Sequence, residues 1–116
     1  MKIAIVTEGY QDSGYGHLTR CLSLYQAFAE KNIIPLYIAN CDEKGKTFIT
    51  DENLIVLDWI NYPERLYTLV YGYDIVIIDS YLATYYFYKE IWKIVKRVIY
   101  IDDYMRVEYP PGIILN

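Results

Sequence analysis

The stretch 3–31, "IAIVTEGYQDSGYGHLTRCLSLYQAFAEK", joins a short apolar run to a long amphipathic segment through a loop rich in glycine. The run at 3–6 shows no polar alternation, as expected for a strand buried on both faces of a parallel sheet. Residues 17–31 place most apolar side chains on one side at helical spacing, which predicts a helix of about four turns. Together they predict the first half of a βαβ unit.

The same alternation continues along the chain. Five further apolar runs predict strands at 36–39, 54–57, 74–79, 97–102 and 112–116. Two further segments have helical spacing, 63–71 and 82–96, and "CDEKGKT" at 41–47 predicts a surface loop. Strands that alternate with helices imply right-handed crossovers. The predicted fold class is therefore α/β, a Rossmann-like open parallel sheet of about six strands with flanking helices.

Composition narrows the function classes. The 116 residues suit one domain, and 54% hydrophobic with 22% charged residues indicates a folded chain. A net charge of -4 without a basic stripe argues against nucleic acid as a partner. Two cysteines without metal-ligand spacing, and an apolar start too short for a signal sequence or a membrane span, predict a reduced, cytoplasmic protein.

Fifteen tyrosines stand out, several of them in "YLATYYFY" at 81–88. Tyr81, Tyr85 and Tyr88 follow helical spacing, which favours a packed helix face over a strip that binds a partner.

Polar residues follow several predicted strands, where ligands bind in open α/β sheets. Asp79 and Asp102 are candidates, although carboxylates at such positions often cap the next helix instead. Asp103 is adjacent to Asp102, and neighbouring residues of a strand point to opposite faces. No metal site is expected.

Gly14 and Gly16 allow backbone amides to approach a ligand at a helix N-terminus. The third glycine of the dinucleotide fingerprint is missing, which disfavours NAD. His17, the one histidine, lies in the first helical turn, where the helix dipole favours a neutral imidazole that can act as a general base. A purely local hydrogen-bonding role is the alternative.

The stretch 1–28, followed by "DIVIIDSY" (74–81), "VIYIDDY" (98–104) and "GIILN" (112–116), resembles in order and spacing the first domain of a known enzyme family. That family comprises the flagellin-modification UDP-sugar hydrolases (PseG) and their spore-coat polysaccharide relatives (SpsG). The most specific element is G-x-G-H followed by R-C on the helix. The resemblance covers essentially the whole chain.

The resemblance implies a glycosyltransferase-B-like (GT-B) enzyme with its substrate between two Rossmann-like halves. Residues 1–116 would form the N-terminal domain, and a second, nucleotide-binding domain would lie outside this chain, which alone should have little activity. The family hydrolyses UDP-2,4-diacetamido-2,4,6-trideoxy-β-L-altropyranose to UDP and the free sugar, on the route to pseudaminic acid. The reaction inverts the anomeric centre and uses neither metal nor cofactor.

By the same resemblance, His17 would deprotonate the attacking water. The implied substrate-binding residues are Gly14, Tyr15, Gly16, Arg20, Asp79, Tyr81, Asp103 and Asn116. Two alternatives stay open: a GT-B glycosyltransferase of surface or spore-coat polysaccharide synthesis, and a non-catalytic nucleotide-binding or interaction module.

Overall fold

The structure is a computed structural model, which describes residues 1–49, 54–102 and 108–115. The strands are β1 (Ile3–Gly9), β2 (Leu36–Cys41), β3 (Leu54–Val56), β4 (Ile75–Asp79), β5 (Arg97–Ile101) and β6 (Ile113–Leu115). The helices are α1 (Gly16–Glu30), α2 (Glu43–Lys46), α3 (Pro63–Val70) and α4 (Tyr85–Ile94).

All six strands pair in parallel in one sheet, in the order β3-β2-β1-β4-β5-β6. This arrangement confirms the predicted α/β fold with a Rossmann-like open sheet. The chain runs outward from β1 to β3, then returns to place β4 on the other side of β1. The carboxyl ends of β1 and β4 therefore form the topological switch point, where ligands bind in open sheets of this kind.

Helices cover both faces of the sheet, which explains why β1 is buried along its whole length. On one face, Ala4 and Val6 belong to a core shared with α3 and α4; on the other, Ile3 and Ile5 pack with Leu18 and the rest of the buried side of α1. In the described part of the chain, no helix combines the length and apolar character needed to cross a membrane.

Two of the differences from the sequence predictions have a clear local cause. The segment predicted as a loop at 41–47 contains the single-turn helix α2, which begins because the Asp42 side chain accepts a hydrogen bond of 2.7 Å from the Gly45 amide. Helix α4 begins at Tyr85 rather than at 82. Thr84 caps it by accepting a hydrogen bond of 3.3 Å from the amide of Phe87.

The later start of α4 changes the tyrosine prediction, which is wrong for two of its three residues. Tyr88 packs in the core, but Tyr85 is 44% exposed. Tyr81 lies before the helix, in the loop that follows β4, and is 37% exposed. Tyr81 thus lies at the carboxyl end of β4, where candidate site residues gather.

Candidate functional site

The loop between β1 and α1 turns back sharply before the helix begins. The Gly14 amide donates a hydrogen bond of 2.7 Å to the Tyr10 carbonyl, and Gly14 has a φ of +85°, a left-handed conformation that glycine adopts without steric cost. Helix α1 then begins at Gly16. As a result, His17 and Arg20 lie one turn apart and both reach the end of β4.

Contacts with the carboxyl end of β2 hold this loop in place. Tyr15 donates its hydroxyl to Asp42 at 2.9 Å, the Gln11 amide donates to the same carboxylate at 2.9 Å, and Tyr10 donates its hydroxyl to Asn40. The Gly45 amide, with further help from Tyr15, holds the pKa of Asp42 below its ordinary value. The structure thus gives Tyr15 a loop-anchoring contact, next to the substrate-binding role that the sequence predicts.

Asp79 is the centre of the site. It is fully buried at the end of β4, and its Oδ1 lies 2.6 Å from Nδ1 of His17. Arg20 approaches as a fork, with Nε donating to Oδ2 and Nη2 donating to Oδ1, each at 2.8 Å. Burial alone would raise the pKa of Asp79, but the hydrogen bonds from His17 and Arg20 outweigh it and lower the pKa. Asp79 is therefore ionised at neutral pH.

Nδ1 of His17 has two neighbours, the Asp79 carboxylate at 2.6 Å and Nη2 of Arg20 at 3.4 Å. The carboxylate is the nearer one and only accepts hydrogen bonds, so Nδ1 carries the hydrogen of the contact with Asp79. In the neutral form of the imidazole, Nε2 is then the unprotonated nitrogen, a tautomer that follows from the hydrogen-bond partners. Among the described residues nothing binds Nε2, and Nε2 is not one of their buried unpartnered atoms. His17 is only 8% exposed, but its side chain is one of those that line an open pocket.

An open pocket of about 280 Å³ lies in front of this group, lined by Ser13, Gly16, His17, Arg20 and Tyr81. The Tyr81 ring meets the imidazole edge-on, with ring centroids 4.2 Å apart and planes at 87°. A larger pocket of about 400 Å³, between Met1 and Tyr73, lies at the amino ends of the strands. That end of an open sheet is not where such folds bind ligands.

The structure brings together five residues that the sequence singles out: Gly16, His17, Arg20, Asp79 and Tyr81. Gly14 shapes the loop from behind the pocket. The predictions for Asp103 and Asn116 lie outside the described residues.

Asp102 is buried and accepts a hydrogen bond of 2.6 Å from the Tyr109 hydroxyl, which ties it to the segment after β5. Within the three described ranges, no three His, Cys, Asp or Glu side chains form a group that could hold a metal ion.

Sequence reasoning missed Glu8 and Ser80. Glu8 is fully buried in β1 and binds the loop after β4, through the Ser80 hydroxyl and the Tyr81 amide. The available signal was a carboxylate directly between an apolar run and a glycine-rich loop. Its partners could not be identified without the strand order.

No known protein family, curated protein or solved structure matches the chain. The functional argument therefore depends on the pocket and on the motifs quoted from the sequence.

Proposed function

We propose that this chain is the N-terminal domain of a UDP-sugar hydrolase of the PseG and SpsG type, in which His17 is the general base. One observation carries the proposal: Asp79 holds Nδ1 of His17 at 2.6 Å, which leaves Nε2 free to accept a proton beside an open pocket. The sequence motif G-x-G-H with the following R-C supports the substrate class. A second Rossmann-like domain would complete the cleft and bind most of the nucleotide.

In the proposed reaction, a water hydrogen-bonded to Nε2 gives up a proton while its oxygen bonds to the anomeric carbon of the sugar. The bond from that carbon to the UDP oxygen breaks, and its electron pair leaves with UDP. Attack from the side opposite the leaving group inverts the anomeric centre. A positioned base of this kind typically contributes a rate factor of about 10²–10⁴.

The charges around His17 suit this step. The ionised Asp79 and the Arg20 guanidinium cancel while the imidazole is neutral, and the group becomes cationic once His17 takes the proton. Asp79 stabilises the imidazolium directly, as a carboxylate does in hydrolytic triads. Positive charge thus appears at the pocket as negative charge develops on UDP, and the two attract across a partly desolvated site.

The test is UDP release from the altrose derivative by the longest natural polypeptide that contains this chain. His17→Ala is expected to lower kcat by a factor on the order of 10²–10⁴ with little change in KM, because it removes the base and leaves the pocket walls. Gln26→Ala, on an exposed position of the same helix, is the matched control. Unchanged UDP release from the His17→Ala variant would remove the general-base assignment.

A glycosyltransferase is the second candidate, because the loop after β4 also borders a further pocket. It measures about 230 Å³, and its lining includes the half-buried Tyr67 and the exposed Tyr86, aromatic side chains that combine a large apolar face with a polar hydroxyl. The loop after β4 borders both pockets, with Tyr81 in the first and Leu82 in the second. Transfer to an added sugar alcohol in preference to water would favour this candidate; binding of UDP without turnover would favour a non-catalytic module.

A further inference from the structure

The side chain of Glu8, in β1, binds a loop that lies far from it in the sequence. Its side chain is fully buried, and it accepts hydrogen bonds from the Ser80 hydroxyl, the Tyr81 amide at 3.0 Å and the Leu82 amide at 3.4 Å. These partners follow Glu8 in sequence by 72 to 74 residues. A buried carboxylate is tolerated only when donors surround it, so the loop after β4 must keep this shape for Glu8 to remain inside.

Ser80 extends the same network. Its Oγ donates to Glu8 and accepts the amides of Leu82 and Ala83, each at 2.9 Å. One carboxylate and one hydroxyl therefore bind three successive amides of the loop, 81 to 83, immediately before the helix cap at Thr84. The backbone that carries the Tyr81 side chain is fixed from β1.

We infer that Glu8 is a positioning residue, which holds Tyr81 against the imidazole of His17 and so fixes the direction of Nε2. The path has two steps: Glu8 binds the Tyr81 amide at 3.0 Å, and the Tyr81 ring meets the His17 ring at 4.2 Å. Asp79 fixes one edge of the imidazole, and Tyr81 restricts its tilt. The catalytic consequence rests on the proposed function, whereas the contact itself does not.

Glu8 does not act on a ligand directly. It is fully buried and does not line the pocket in which His17 and Tyr81 are found. Its effect must therefore pass through the loop, and the experiment has to separate this effect from a general loss of folding.

In an NMR spectrum of the 116-residue chain, His17 is a clean probe, because it is the one histidine of that sequence. An edge-on tyrosine ring changes the chemical shifts of the His17 ring protons. The Tyr81→Ala variant therefore gives the chemical shifts that these protons have without the contact. Glu8→Gln is expected to move the His17 signals toward those values, since the amide group replaces one acceptor oxygen with a donor. Glu30→Gln, at the exposed end of α1, is the matched control and leaves them in place.

The second experiment is a double-mutant cycle in which kcat for UDP release is measured. Glu8→Gln is expected to lower kcat by a factor on the order of 10 to 100, the scale expected for a small misplacement of a catalytic group. In a Tyr81→Ala background the same substitution should cost less than about 3-fold, because the two residues act as one unit.

Glu8→Asp keeps the test valid if Glu8→Gln does not fold, since it retains the carboxylate but shortens the side chain that accepts from the Tyr81 amide. If the His17 signals do not move in either folded variant, the inference is overturned. It is also overturned if the kcat losses of Glu8→Gln and Tyr81→Ala simply multiply in the double variant. If the His17 signals move but the unaltered protein releases no UDP, the positioning role is supported and the proposed hydrolase function is wrong.

Discussion

The carboxylate of Asp79 accepts a hydrogen bond of 2.6 Å from Nδ1 of His17, although 62 residues separate them in the chain. The contact exists because β4 lies beside β1, with Asp79 in register with Thr7. The loop after β1 and the end of β4 consequently meet at the switch point of the sheet. Strand order, and not a local motif, therefore produces the acid–imidazole pair.

The first prediction concerns this pair. If the proposed function is right, Asp79→Asn is expected to lower kcat for UDP release by a factor on the order of 10²–10⁴, because the amide carries no negative charge to stabilise the imidazolium and replaces one acceptor oxygen with an NH₂ donor. Asp74→Asn, just before the other end of β4, is the control and should retain kcat. A second readout is the pH profile of kcat, which should change for Asp79→Asn alone. Equal kcat in both variants would contradict the base assignment.

The second prediction is an acid-dependent loss of stability. The pKa of Asp79 is lower in the folded chain than in the unfolded chain, where an aspartate has a pKa of about 3.9. Its contribution to the free energy of unfolding is therefore fully present above about pH 4–5 and is lost as the pH falls through the folded pKa. Urea denaturation between about pH 6 and pH 2.5 should show a shallower decline for Asp79→Asn than for the unaltered chain.

Asp42 and Asp58 also have lowered pKa values, owing mainly to the Gly45 amide and the Asn61 side chain respectively. They contribute to the same acid decline and remain in the Asp79→Asn variant. Part of the decline in the free energy of unfolding with falling pH should therefore persist in Asp79→Asn. If this decline is as steep in Asp79→Asn as in the unaltered chain, the buried pairing of Asp79 is contradicted.

The sequence predicts an element well where its burial follows a simple pattern, continuous in a central strand and periodic in a helix. The run at 3–6 and the helix after the loop are recognisable because β1 is buried on both faces and α1 on one. Helix α2 is too short for periodicity to reveal it. The start of α4 is placed too early because Ala83, in the preceding loop, is also buried and continues the apolar pattern.

The sequence predicts individual residues of the site but not the contacts between them. His17 and Asp79 each stand at a position where α/β folds carry polar groups, so each can be named alone. Their contact, and the contact of Glu8 with the Tyr81 amide, depends on which strands are neighbours. Hydrophobic periodicity predicts strands but does not order them.

The third prediction asks whether the glycines of the loop between β1 and α1 are needed for their backbone conformation or for the lack of a side chain. Neither Gly14 nor Gly16 has an atom within 4 Å of an added Cβ, but only Gly14 has a positive φ. Gly14→Ala should lower the free energy of unfolding by about 1–2 kcal/mol through backbone strain. Gly16→Ala, at the first residue of α1, should leave it unchanged or raise it by up to about 1 kcal/mol. Denaturation curves that show equal losses for both would contradict the left-handed turn.

The fourth prediction uses the two tryptophans, which occupy opposite environments. Trp59 is fully buried, stacks on Phe87 at 4.7 Å and donates Nε1 to the Thr7 carbonyl at 3.0 Å, whereas Trp92 is 42% exposed. Trp59→Phe removes this hydrogen bond and leaves a void between α4 and the sheet. It should lower the free energy of unfolding by about 2–4 kcal/mol.

Trp92→Phe is the matched control and should change stability by no more than about 0.5 kcal/mol, because an exposed ring has little packing to lose. Circular dichroism should monitor the unfolding, since either substitution removes a fluorophore. A stability loss as small for Trp59→Phe as for Trp92→Phe would mean that Trp59 does not join α4 to β1 as the structure has it.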